Sequence, residues 1–208
     1  MSEPSATTRR GGHARRAAAL AGAVALAAVL ASGCSAGDAA ARSTPAAGAA
    51  PASALAPSVP DRIRIPGIGV DAPLDAVGLD AQGVMQEPDF AKPEDAAWYE
   101  EGPTPGEPGA AAVVGHMDTP QAPEAVFFRL GKLTKGEEIR VHRTDGSTAV
   151  FAVDEVDTFK KDAFPTDKVY GDTHGKAELR VITCGGNLTK DRHWDANVVV
   201  FAHLTGRA

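Results

Sequence analysis

The chain is 208 residues long and carries 21 Lys and Arg against 27 Asp and Glu, a formal net charge of -6. Part of the positive charge sits at the N-terminus, so the rest is more acidic still, which excludes nucleic acid as a partner because phosphate binding needs clustered Lys and Arg. The length accommodates one domain of ordinary size plus tails.

Arg9, Arg10, Arg15 and Arg16 precede the apolar run AAALAGAVALAAVLA at residues 17–31, and small residues then lead to Cys34. This is the pattern of an export signal. The run falls short of the roughly 20 apolar residues that span a bilayer core. The segment LASGC resembles a bacterial lipoprotein cleavage box, with Ala31 where leucine is usual, and processing there leaves an acylated Cys34. A retained membrane anchor and plain cleavage are the alternatives. Residues 35–60, rich in Ala, Pro, Ser and Gly, bury too little apolar surface to offset chain ordering and read as a flexible tether. The expected organisation is a signal or membrane-anchor segment over 1–34, a tether over 35–60 and one folded domain over 61–208, held outside the cytoplasm at the membrane through its N-terminus.

Within the domain, RIRIPGIGVDAPL alternates Ile63 and Ile65 with charge and breaks at Pro66-Gly67, predicting a strand, a turn and a second strand. Residues 80–109 hold many Pro, Gly, Asp and Glu residues around Trp98 and Tyr99 and read as loop with one helical turn. AAAVVGH predicts a short buried strand ending at His116. In EAVFFRLGKL the apolar residues at 126, 127, 130 and 133 have the spacing of one or two helical turns. Asp145-Gly146, a strong turn dipeptide, lies between runs carrying Ile139 and Val141 on one side and Val150, Phe151 and Val153 on the other, which predicts a hairpin. ELRVITC and NVVVFAHL supply two more strands, the second almost continuously apolar as a central strand would be. The fold class is therefore all-β, mainly strand with short helices, as a barrel or a sandwich.

The chain has two cysteines. A disulfide from Cys34 to Cys184 would join a tether to a domain core rather than two folded segments, and the better reading leaves Cys184 free. A lone cysteine on a strand is most often a small buried hydrophobe. A thiol acts as a nucleophile only as thiolate, which needs a nearby cation or base. His116 ends one predicted strand and Cys184 another, so adjacent strand ends would put imidazole and thiol on one rim. Gly185 and Gly186 allow a sharp turn and close approach of a substrate backbone. Arg192, eight positions past Cys184, would donate to a substrate carbonyl as it becomes an oxyanion. His116, Asp118, His174, His193 and Cys184 show no zinc-like spacing, so neither a metal nor another cofactor is expected.

The ordered blocks VVGHMDTP, FFRLGKL, GEEIRV, LRVITCGG and NVVVFAHL resemble those of the sortases, most of all the class F sortases of actinobacteria, over residues 61–208. The resemblance implies a closed β-barrel of about eight strands and a catalytic Cys-His-Arg set, which falls on Cys184, His116 and Arg192. Arg180, on the same strand face as Cys184, is the alternative arginine. Thr183, Gly185 and Gly186 are then expected to shape the substrate pocket, and Asp118 to orient His116. The implied reaction cleaves an LPXTG-type sorting signal of an exported protein between Thr and Gly through a thioacyl intermediate. It ends by transfer to an amine acceptor such as a cell-wall precursor. A monomer is expected, and the loop carboxylates that hold calcium in some sortases have no match in this sequence. Hydrolysis alone, or an exported lipoprotein using the barrel only to bind a peptide, are the competing functions.

Overall fold

The computed structural model describes residues 52–208; the export segment, Cys34 and residues 35–51 of the expected tether lie outside the described residues. Strand β1 (Pro60–Ile65) alternates as read: Ile63 and Ile65 are sealed inside, while Arg62 and Arg64 both reach Asp71 on the surface. A 3-10 turn over Pro66–Ile68 ends at Gly69, whose φ of 74° reverses the chain into β2 (Val70–Val77). β3 (Ala96–Tyr99) and β4 (Gly109–Gly115) follow, then the hairpin of β5 (Glu138–Arg143) and β6 (Thr148–Lys160). Gly146 adopts φ 81° in that hairpin, a conformation open to glycine without steric cost. The helix α1 (Thr166–Tyr170) leads into β7 (Ala177–Leu188) and β8 (Trp194–Arg207).

The eight strands close into a barrel in the order β1-β2-β3-β4-β7-β8-β6-β5, with β1 pairing β5 to complete the ring. Closure leaves no open sheet edge. One face of each of the longer strands fills the interior, with Ile63, Val113, Ile139, Phe151, Val181 and Val200 among the residues sealed there. The opposite faces of β7 and β8 are not bare. Ile182, Val199 and Phe201 form a second apolar cluster there with Val169 of α1, so the helix covers that part of the barrel wall.

The segment spaced at 126, 127, 130 and 133 does bury all four side chains, but as turns and a 3-10 helix at Leu130–Lys132 rather than an α-helix. The reading of 80–109 as loop missed β3, whose four residues lie between β2 and β4. Three of them, Ala96, Ala97 and Trp98, are buried, so no alternation marks the strand. The folded unit also begins before Asp61. Leu55 N–H donates to Gly106 O at 2.8 Å, Thr144 N–H to Val59 O at 2.9 Å, and the buried Arg143 guanidinium to Ala56 O. Backbone bonds and the Arg143 guanidinium hold this strap, and Ala52 and Leu55 pack against the core.

Phe127 is fully buried and lies between the barrel core and the end of β4. Phe127→Ala is expected to lower the unfolding free energy by about 3–5 kcal/mol, as read from urea denaturation.

Candidate active site

Two parallel strands build the site. β4 and β7 pair in register, with Val113 opposite Val181 and Val114 opposite Ile182. One step on, Thr183 Oγ1 donates to Gly115 O at 2.8 Å, which carries the register past the last strand pair. The next residues are His116 and Cys184, and both line a cleft of about 420 Å3 together with Phe90, Asp118, Lys161 and Arg192. A larger cavity of about 580 Å3, beside Asp154, Glu178 and His203, contains no cysteine.

The imidazole is held from the β2–β3 connection. His116 Nε2 is 2.8 Å from Pro88 O. A carbonyl has no proton to give, so Nε2 is the donor and Nδ1 is the nitrogen left for proton exchange. The Phe90 ring lies against the imidazole with centroids 4.4 Å apart. Asp118, expected to orient His116, does something else: its Oδ1 accepts from Trp194 Nε1 at 2.9 Å, tying the loop after β4 to the first residue of β8.

Cys184 is a free thiol, half-buried, on the outer face of β7. Lys161, just past the end of β6, directs its Nζ to the sulfur at 3.6 Å. Arg192 lines the cleft from the β7–β8 hairpin, exposed and with a left-handed φ of 61°. Arg180 shares the strand face of Cys184, yet α1 seals it away. Its Nε donates to Val169 O at 3.0 Å, it pairs with Glu178, and its guanidinium lies 4.8 Å from the Phe201 ring centroid. Shared parity therefore did not bring it to the sulfur.

The residues beside the nucleophile act through packing. Thr183 is buried, with its hydroxyl given to Gly115. A Cβ on Gly185 would stand 2.7 Å from Val198 Cγ2, and one on Gly186, at φ 85°, 2.7 Å from Ala196 Cβ. Both glycines let β7 lie close on β8 where the register shifts between Gly185 and Leu188. Asp195 braces the same turn, accepting the Asn187 N–H at 2.8 Å and the Lys160 ammonium. The Lys160 ammonium, with the Asn187 N–H, holds the Asp195 carboxyl below its ordinary value.

The sortase domain family matches residues 63–205 of this sequence. The chain belongs to the sortase family. Sortases are cysteine transpeptidases, so the free thiol and imidazole in one cleft lie in an enzyme. Three solved structures share the fold. The sortase C-1 of Actinomyces oris has a TM-score of 0.55 at 21% identity, covering 70% of this chain and 73% of that one. The sortase C1 of Streptococcus agalactiae, in complex with MTSET, has a TM-score of 0.54 at 19% identity over 71% and 69%. Sortase A of Corynebacterium diphtheriae has a TM-score of 0.54 at 19% identity over 72% and 61%. No curated protein matches the chain.

Lys161, Pro88, Phe90 and Trp194 of this sortase were not singled out as site residues by sequence reasoning. Pro88 and Phe90 lie in a loop whose composition says only that it is a loop. Lys161 follows another lysine at a strand end, where solvation is the default expectation.

Replacing Thr183 by Val leaves the Gly115 carbonyl without its partner and is expected to cost about 1–3 kcal/mol, with a lowered melting temperature and reduced turnover. The Asp195 brace has a definite pH dependence. A depressed carboxyl contributes its tie fully above the ordinary range and loses it as pH falls through the depressed value. The Asn187 amide resonance should therefore stay put from pH 8 to about 5 and move only below about 4, followed by NMR, and Asp195→Asn should abolish that movement.

Proposed function

We propose that this sortase is a class F enzyme that cleaves an LPXTG-type sorting signal between Thr and Gly. It transfers the acyl product to an amine at the cell surface. The observation that carries the reading is the parallel register of β4 and β7, which delivers His116 and Cys184 to one cleft. The class assignment is supported by the ordered sequence blocks around those two residues and by the Gly185-Gly186 pair after the cysteine.

Cys184 is the nucleophile. Its sulfur bonds to the threonyl carbonyl carbon, and the tetrahedral intermediate collapses by breaking the C–N bond. The leaving amine takes a proton from His116, and the neutral imidazole later accepts a proton from the incoming amine, so one side chain alternates as acid and base. Arg192, on the hairpin that borders the cleft, stabilises the oxyanion. Thr183, Gly185 and Gly186 hold the nucleophile's strand against its neighbours, and Asp118 keeps the His116 loop against β8 through Trp194. A cell-wall precursor fits the acceptor role. The protein acts as a monomer tethered to the outer face of the membrane through the segment around Cys34.

Mass spectrometry of the purified domain with an LPXTG-type peptide should show a thioacyl adduct that Cys184→Ala abolishes and that an added amine discharges. His116→Ala should lose about 10²–10⁴ in kcat/KM, and Arg192→Ala about 10²–10³. An adduct that forms in the Cys184→Ala protein, or full activity without His116, defeats this reading.

A further inference from the structure

We propose that Lys161 is a catalytic cation of this sortase: its ammonium pairs with the Cys184 sulfur and stabilises the thiolate before attack and on departure. The inference rests on the reading of Cys184 as the nucleophile. It concerns a residue outside the Cys-His-Arg set that the sequence blocks imply.

The contact follows from where β6 ends. Lys160 is the last residue of the strand, opposite Ala196 of β8, which in turn neighbours Gly185 of β7. A 3-10 turn over Lys161–Ala163 follows at once. The two lysines separate there: Lys160 is taken by Asp195, while Lys161 reaches across to the sulfur at 3.6 Å. Asp195 is already occupied by Lys160 and the Asn187 N–H. Among the described residues no carboxylate lies within ion-pair distance of Lys161, so nothing competes with the sulfur for its ammonium.

The other candidate cations are engaged or placed differently. Arg180 is buried under α1 and bonded to Val169 and Glu178. His116 gives its Nε2 proton to Pro88 O. Arg192 borders the cleft from an exposed hairpin. Among the described residues, Lys161 is the one cation in contact with the sulfur.

A cation at this position assists two steps. A thiolate beside an ammonium is favoured over the thiol, and the thiolate is the attacking species. The sulfur then forms its bond to the carbonyl carbon and becomes an uncharged thioester, releasing the ammonium. When the acceptor amine attacks, the C–S bond breaks and the sulfur leaves with the electron pair, again as a thiolate beside the same ammonium. Lys161 keeps its proton throughout and His116 carries the proton traffic. The ammonium is solvent-exposed, so screening limits its effect, and about a tenfold change is the expected scale.

The test uses Lys161→Gln and Lys161→Arg, with Lys135→Gln as a control for net charge far from the cleft. Two readouts are needed: kcat/KM with a sorting-signal peptide and amine, and the rate of Cys184 alkylation by iodoacetamide at pH 7. Lys161→Gln should slow both by about tenfold, Lys161→Arg should stay within about threefold of the parent, and Lys135→Gln should leave both unchanged. Unaltered melting temperatures exclude a folding cause. Alkylation of Lys161→Gln within twofold of the parent, or an arginine variant no faster than the glutamine one, overturns the proposal. Alkylation needs no sorting substrate, so a parent enzyme inert to every sorting peptide would count against transpeptidation while leaving the Lys161 result readable.

Discussion

The site depends on a parallel strand pair. β4 and β7 are distant in the chain, yet their register delivers Gly115 to Thr183 and, one residue later, His116 to Cys184. A one-residue slip would turn every side chain to the other face and separate imidazole from thiol. Burial resists that slip, because Val113 and Val181 are sealed in the interior while Ile182 is held in the outer cluster under α1. The threonine hydroxyl adds a side-chain bond at the point where the backbone pairing ends. The meeting of imidazole and thiol in one cleft is therefore a property of the barrel wall, with the loops adding only the finishing contacts.

Those contacts share a logic of saturation. Asp195 is satisfied by Lys160 and Asn187, Asp118 by Trp194, and Arg180 by Glu178 and the Val169 carbonyl. Each pairing satisfies a charge or a donor within the fold rather than in the cleft. Lys161 and Arg192 are the cations left lining the cleft with Cys184. An acidic chain thus keeps two cations in the cleft beside the thiol, along with Glu87 and the Trp194-bound Asp118.

The imidazole is clamped from the side away from the strands. Pro88 O fixes the proton on Nε2, and Phe90 covers one face of the ring. This clamp comes from the connection between β2 and β3, so the same loop that closes the barrel's sequence gap also decides which ring nitrogen is available for proton transfer. Phe90 is half exposed and lines the cleft. The cleft thus has an aromatic wall on the histidine side and an ammonium on the sulfur side.

Much of this was legible in the residues themselves. Period-two alternation with turn dipeptides at Pro66-Gly67 and Asp145-Gly146 marked β1 and the β5–β6 hairpin, because burial of one strand face writes itself into the sequence, while β4 and β8 showed as continuous apolar runs. The blocks around His116 and Cys184 marked the family. β3 was not legible, since Ala96, Ala97 and Trp98 are all buried and four residues are too few to show a period. The strap before Asp61 was missed because backbone hydrogen bonds leave no trace in composition. The choice between arginines was also beyond strand parity, which puts Arg180 on the face of Cys184 but cannot say that α1 lies between Arg180 and the cleft. By itself the chain of residues determined an all-β domain of short strands, the thiol, the imidazole and the order in which they occur, with the closed barrel implied only by the family blocks. Only the tertiary structure decided which cation meets the sulfur and which nitrogen of His116 is free, because both are settled by contacts between segments that nothing local in the sequence relates.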